Sequence, residues 1–392
     1  MGAAATLPIN IYQDQDFYVP AFIIKVQNKE VVIDDILTVT YTDSLDKVDS
    51  FDMTVSNWDP GASKLDQTAF KYSDKDTFNP WKDVEVQMGY YRNGKNELRT
   101  MLIGEITTLT PNFSQGGAPT LNVRGLNLFH RFRTKAETKP FFNKKDSDIA
   151  KELVNSIAAE VRKKTPQLKL KLDEDDYQRN IKREEPIPYL LMNNQFPISF
   201  LMERARDLGY ELTMEESSQN GNREVIFHYR PSSDVKRNTY ILEWGTSLIS
   251  FQPSFQVANQ VAQLTVRGWN PKTKKPIKVT VKRKDIKGIV TPSDFGIDEP
   301  APTEKQEFVI DRPIQNEAEA KLLATNRLRQ ICEGLIEAKG KTVGVPDLRS
   351  GSKVEIRGLG KRFSGTYVVT STTHSIGDGG YTTDFTGRME KL

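Results

Sequence analysis

The sequence predicts a mainly β protein of the α+β class, with two related antiparallel β-barrels in one chain and a helix-containing domain between them. Three observations carry this. Period-two alternation of β-branched and aromatic residues runs from Ala21 to about Arg124 and returns from Asn238. Helical spacing of apolar residues fills the stretch between and recurs near the C-terminal end. The third is an echo, in which TVSNWDP at 54–60 returns as TVRGWNP at 265–271.

The first alternating stretch reads as seven strands: AFIIKVQ, KEVVID, ILTVTYT, SFDMTVS, DVEVQMGYY, TMLIGEITTLT and TLNVRG. Turn formers separate several of them, at Asn28, Asp34 and Asp35, Asn93 and Gly94, and 114–117. No helical pattern interrupts them, so 1–134 is expected to be the first barrel. DSDIAKELVNSIAAEVRKK then places Ile149, Leu153, Ile157 and Val161 four apart. Asp146 and Ser147 are its N-cap candidates and basic residues fill its last turn. A second helix starts near Ile198, with Leu201, Ala205 and Leu208 on its stripe and Gly209 as C-cap. Residues 135–238 are therefore expected to form an α/β middle domain.

The second barrel is expected over 239–392, with a helix-containing insertion at about 272–345. Its helix begins at Asn316, which forms a capping box with Glu319. Ala320, Leu323, Ala324, Leu328, Ile331 and Leu335 line one face. The stretch GIVTPSDFGIDEPAPTEKQEF before it reads as an exposed loop.

Residues 37–60 and 248–271 align without a gap, each as a strand, a turn and a returning strand that ends in Trp-Asx-Pro. Val84-Glu85-Val86 is echoed by Val354-Glu355-Ile356, and the run from Gly104 by the run from Gly365, in the same order. Duplication explains three ordered echoes better than chance. It places Trp58 and Trp269 as buried plugs at equivalent barrel ends, to be superposed with the barrels.

Composition narrows the function. The 392 residues are 37% hydrophobic and 27% charged, with 55 Lys+Arg against 52 Asp+Glu, a net charge of +3. So even a balance gives no electrostatic reason to expect nucleic acid or an anionic membrane as partner. Cys332 is the single cysteine, which excludes an internal disulfide framework and suits synthesis in a reducing compartment. The N-terminus lacks the basic and apolar regions of a signal peptide, and no apolar run is long enough to span a bilayer. Met1-Gly2 with Thr6 matches a myristoylation pattern by chance, since no second membrane signal accompanies it.

No catalytic constellation emerges, and the chain is expected to have no catalytic, cofactor-binding or metal-binding residues. His130, His228 and His374 lack partners at metal-ligand spacing, and Cys332 reads as a buried helical thiol. Asp173-Glu174-Asp175-Asp176 is the densest acid cluster, but Lys169, Lys171 and Arg179 flank it as on a solvated turn. The basic tract from Lys272 to Lys284 alternates like an exposed hairpin and lacks the aromatics that stack bases.

The C-terminal run carries a resemblance. Pro346-Asp347-Leu348 precedes Gly351, followed by Val354 and Ile356, then Phe363, Gly365 and Tyr367, and a strand reaching His374 and Tyr381. This order resembles the phage late control D proteins, baseplate hubs of contractile tails, which are similar to the first part of VgrG proteins. NNQFPISFLMERARDLGYELTM looks like that family's helix–strand element and GEITTLTPNF like its first barrel.

The resemblance implies a homotrimer whose two barrels per chain build a ring of six similar units. Such a ring joins a six-fold tail tube to a three-fold spike, in a phage tail, a tailocin or an extracellular injection system. The implied partners are a tail-tube initiator, baseplate wedge components and a spike. VgrG chains continue into a further barrel and a β-helical spike, so here the spike is expected to be a separate polypeptide. The implied location is the baseplate of the particle, after synthesis in the bacterial cytoplasm. Two rival readings stand beside it: a tail-associated cell-wall hydrolase using Glu174 or Asp176, and a carbohydrate- or receptor-binding β protein. The latter would present exposed aromatic platforms.

Overall fold

The structure, a computed structural model, describes residues 8–11, 19–59, 70–92, 95–219, 222–270, 273–297, 306–309, 314 and 316–391. Pro60, Asn93, Gly94, Pro271, Lys272 and the Met1, Gly2 and Thr6 pattern lie outside these residues.

In chain order the first strands are β1 (Ile9–Asn10), β2 (Pro20–Val26), β3 (Lys29–Glu30), β4 (Ile36–Ser44), β5 (Ser50–Ser56), β6 (Asp83–Arg92), β7 (Lys95–Asn112) and β8 (Thr120–Asn127). The middle stretch holds β9 (Glu137–Lys144), α1 (Asp146–Lys164), β10 (Leu168–Leu172), α2 (Glu174–Asn180), β11 (Ile187–Gln195), α3 (Pro197–Leu208), β12 (Tyr210–Gln219) and β13 (Asn222–Pro231). There follow β14 (Thr239–Glu243), β15 (Leu248–Phe255), β16 (Gln263–Asn270), β17 (Lys275–Lys282), β18 (Gln306–Val309) and α4 (Glu317–Glu333). The chain ends with β19 (Ile336–Val343), β20 (Lys353–Arg357), α5 (Gly360–Phe363), β21 (Gly365–Gly377) and β22 (Gly380–Lys391).

The duplication is written in the strand order. Hydrogen bonding runs β4-β5-β8-β7-β6-β2 in the first module and β15-β19-β22-β21-β20-β14 in the second. These are the same six strands, joined by five steps in the same chain order. Irregularities repeat as well. Leu37 and Ile249 are each an extra residue against the next strand, and so are Thr107 and Thr370. The bulge hydroxyls do the same work: Thr107 Oγ1 donates to Arg124 O at 3.3 Å and Thr370 Oγ1 to Thr386 O at 3.2 Å. Ile106 exchanges bonds with Lys82 and Trp81 at 2.9 and 2.8 Å, as Val369 does with Ser352 and Gly351 at 2.9 and 2.8 Å. One step differs, since β2 runs antiparallel to β6 while β14 runs parallel to β20.

The echo that pointed to duplication is itself misplaced. β16, which carries Trp269, pairs with β17 and β18 in a separate three-stranded sheet, and the counterpart of β5 is β19. Trp58 and Trp269 therefore occupy non-equivalent places, and neither is a plug, at 41% and 54% exposed. Alternation explains Trp269: Gly268 faces inward against Ile314, so its neighbour faces water. The Gly104 echo names the right strand but slips by two residues, because Gly104 corresponds to Tyr367 rather than Gly365. The hydrogen-bonded path also stays open among the described residues. β4 pairs with β21 of the other module rather than closing on β2.

Each part has its own core. One apolar cluster fills the first module and a second fills the later module. A third, built on Phe129, Phe132, Phe141, Phe200 and Phe227, fills the middle stretch. The fourth lies between α4 and β16–β17 and includes buried Cys332. Asn316 caps α4 by accepting from Glu319 N at 2.8 Å, and Gly209 ends α3 at φ 70°. For α1 the N-cap is Lys145, not Asp146 or Ser147. Those two side chains turn away to tertiary partners, Asp146 to Arg204 at 2.7 Å and Ser147 Oγ to Glu184 at 2.7 Å.

Candidate functional site at the seam between the modules

β4 and β21 join the two modules, in register from Ser371 opposite Ser44 to Ile376 opposite Val39. Alternation sorts this seam into two faces. Tyr41, Asp43, Thr372 and His374 point inward and are buried. Outward, hydroxyls meet across the strands, Thr40 with Ser375 at 3.4 Å and Thr42 with Thr373 at 3.2 Å.

Arg349, from the loop between β19 and β20, locks the inward face. Its Nε donates to Asp43 at 3.0 Å and its Nη2 to Met101 O at 3.1 Å and to the Tyr41 hydroxyl, with the guanidinium 4.6 Å over the Tyr41 ring. Ser350 N at 2.9 Å and the Thr372 hydroxyl complete the Asp43 carboxylate. Burial would raise Asp43, but Arg349 and these hydrogen bonds hold it below the usual carboxylate range.

His374 is neutral here, since burial pushes it down to about 4. The Leu348 carbonyl at 3.0 Å fixes the proton on Nε2, and Nδ1 then accepts from Tyr381 at 3.0 Å and Thr383 at 3.1 Å. Burial and nearby Asp43 push Asp49 up to about 7, with Arg349 pulling the other way. Glu216 of β12 is raised too, by burial first. Its residue is partly exposed, yet its Oε1 is sealed from solvent with no hydrogen-bond partner among the described residues. At neutral pH the seam therefore centres on one tightly held ion pair, Asp43 with Arg349. That pair ties the loop before β20 of one module to β4 of the other.

The acids proposed for hydrolysis are otherwise engaged. Asp173 caps α2 at 2.8 Å from Asp176 N, and exposed Glu174 meets Lys151 at 2.9 Å. Asp176 is buried, accepting from His228 Nδ1 at 2.7 Å and facing Arg179 and Arg230. Burial would raise Asp176, yet these partners lower it, while Asp176 and Glu215 raise His228 against burial. One ligand atom each of Asp173, Asp176 and His228 lies within 4.8 Å of the others, and Asp176 is also ion-paired with Arg179 and Arg230. Asp175 is exposed. His130 lies 2.8 Å from Glu105. The described part of the basic tract is mostly β17, an edge strand antiparallel to β16, with Lys274, Lys275, Lys278, Lys282 and Lys284 exposed. Among the described residues, no helix is long and apolar enough to cross a membrane.

The seam residues Tyr41, Asp43, Asp49, Glu216 and Arg349 escaped the sequence reading. One signal was available: in LTVTYTDS, alternation places Asp43 on the same face as Val39 and Tyr41, an acid among core positions. Arg349 fills an unspecified position of the Pro346-to-Gly351 motif and gave none.

The paired modules are a fold feature, and comparison with known proteins adds a family and a fold. The Alg8 N-terminal domain family matches residues 19–174 and 200–378, and the chain belongs to that family. No curated protein matches it in sequence. Its fold is that of phage tail proteins. It is similar to the 43 kDa tail protein of prophage MuSo2 from Shewanella oneidensis, with TM-score 0.66 at 12% identity, covering 95% of this chain and 98% of that one. It is similar also to a tail protein from Neisseria meningitidis, with TM-score 0.62 at 12% identity, covering 95% and 97%. A component of the E. coli type VI secretion system follows, with TM-score 0.54 at 12% identity, covering 93% and 76%. At the level of fold, the resemblance to tail proteins and to type VI secretion components read from the C-terminal motifs holds.

Proposed function

We propose that the chain is the structural hub of a contractile injection machine's baseplate. Three copies form a ring of six similar modules that adapts a six-fold tail tube to a three-fold spike. The units 1–134, 135–238 and 239–392 act as its domains, with the first and last rolled into barrels. The observation that carries this reading is the duplicated module. Two copies with one strand order, joined by a seam, let three chains present six near-equivalent faces. The tail-protein fold supports a baseplate location, and the ion-paired state of Asp176 supports a role without catalysis.

Native mass measurement with low-resolution imaging tests the proposal. A trimeric ring with an open centre is the expected result, and a stable monomer at micromolar concentration overturns it.

A further inference from the structure

The duplication assigns a counterpart to every residue of the seam. β4 corresponds to β15 and β21 to β7, so Val39, Tyr41 and Asp43 map onto Phe251, Pro253 and Phe255. Likewise Ile376, His374 and Thr372 map onto Phe113, Pro111 and Leu109. Inside the chain these two edges do not meet, and among the described residues no strand pairs with either. Exposure follows. Val39, Tyr41 and His374 are 0% exposed in the seam, whereas Phe113, the counterpart of Ile376, is 55% exposed, Pro111 is exposed, and Phe251, Pro253 and Phe255 are only partly buried.

From this we infer that the edge of β7 at 108–113 docks on β15 and Gln256 of a second copy, in the register of the internal seam. This rests on the hub reading and names the surface by which copies join. The register opposes Phe113 to Phe251 and Leu109 to Phe255 on the inward face. Asn112 then meets Gln252, Thr110 meets Ser254 and Thr108 meets Gln256 on the outward face. Apolar pairs fall inside and polar pairs outside, repeating the sorting of the β4–β21 seam, although only Thr110 and its counterpart Thr373 share a residue type. The contact is head to tail, so rotation can close it into a ring.

Prolines distinguish this seam from the internal one. Leu45 N donates to Thr370 O at 3.0 Å, so hydrogen-bonded pairs fall at every second residue, including His374 with Tyr41. The corresponding pair is Pro111 with Pro253, and neither has an N–H. That pair forms no ladder bond, and the seam between copies is held by the Phe113–Phe251 and Leu109–Phe255 pairs and flanking bonds. In a free copy each proline turns its missing donor toward water, which protects the edge from indiscriminate pairing.

The test is disulfide trapping in the full chain with Thr110→Cys and Ser254→Cys together. These positions correspond to Thr373 and Thr42, a non-hydrogen-bonded pair whose Cα atoms lie close enough for a disulfide. Native Cys332 is buried and does not compete. Mild oxidation is expected to link chains up to a covalent ring, at least tenfold more than in a Thr110→Cys, Gln252→Cys control shifted by two residues. Phe113→Asp is expected to abolish assembly while leaving the thermal midpoint of the chain unchanged. If a ring forms by mass but the matched pair links no better than the shifted pair, this inference falls and the hub reading stands. A monomer at all concentrations overturns both.

Discussion

The two modules keep one strand order but bury an aromatic ring over a glycine from opposite strands. In the first, Phe51 of β5 covers Gly125 of β8; in the second, Phe385 of β22 covers Gly340 of β19. The strand pair is the same, but the contact sits two residues along the ladder: Phe51 and Gly125 correspond to Ala338 and Gly387, and Gly340 and Phe385 to Met53 and Val123. What persisted through duplication is backbone: the bulges, the threonine bonds and the registers. Side-chain solutions drifted around it. The second module also accepts a whole sheet and helix between β15 and β19, where the first has only the turn between β4 and β5. A hairpin connection tolerates such an insertion because lengthening a surface loop costs little entropy.

The two ring-on-glycine contacts make the comparison breakable. A Cβ on Gly125 would lie 2.2 Å from the Phe51 ring and 2.6 Å from the Glu105 carbonyl oxygen. A Cβ on Gly340 would meet only the Phe385 ring, at 2.2 Å. A ring can swing aside, whereas a carbonyl held in the sheet cannot. Gly125→Ala is therefore expected to cost about 3 kcal/mol and Gly340→Ala about 1 kcal/mol, within the range for overpacked cores. Thermal unfolding of the two variants compares them, and equal losses would mean that the two ring-on-glycine packings are interchangeable.

A smaller effect separates the modules by sign of titration. The first contributes Asp49, raised to about 7, and the second His374, lowered to about 4. Asp49 holds its proton in the folded state, so its contribution is full below the ordinary aspartate pKa and is lost as pH rises from about 4 to about 7. His374 refuses its proton when folded, so its contribution is full above about 6.5 and is lost as pH falls toward 4. The two slopes oppose each other over most of that window. Asp49→Asn removes one of them, and acidification from pH 6.5 to 4 is then expected to destabilise the variant by on the order of 2 kcal/mol more than the parent. Chemical denaturation at three pH values measures it, and parallel curves would show that Asp49 is not buried as an acid.

How much of this was legible follows from what each signal depends on. Alternation and helical spacing are local, so β4, β5, β7, α3 and α4 could be read from one strand of text. Gly209 and Asn316 could be read because their roles are set by backbone geometry within four residues. Strand pairing is not local. TVRGWNP looks like the end of a hairpin in either sheet, and only the partners of β16 show that it belongs to the insertion. Arg349 and Asp43 lie 306 residues apart, and nothing in either neighbourhood announces the other. The resemblance succeeded where pairing failed because it matched an ordered series of motifs rather than one spelling.

The least effect is expected where the sequence reading placed the most weight. Had Trp58 and Trp269 plugged equivalent core positions, replacing either with Ala would cost roughly 3–5 kcal/mol. At 41% and 54% exposed they do not fill a core. Trp58 follows the end of β5, where it bridges to Phe70, and Trp269 stands on the outer face of β16. Truncation removes a half-solvated ring and leaves no closed cavity, so each Trp→Ala change is expected to cost below about 1 kcal/mol. The two costs should also be unrelated, because the residues share neither sheet nor core. Equilibrium unfolding of both single variants and the double variant decides this. Strict additivity is the expected outcome, and a coupling energy above about 0.5 kcal/mol would restore a shared structural role to the two tryptophans.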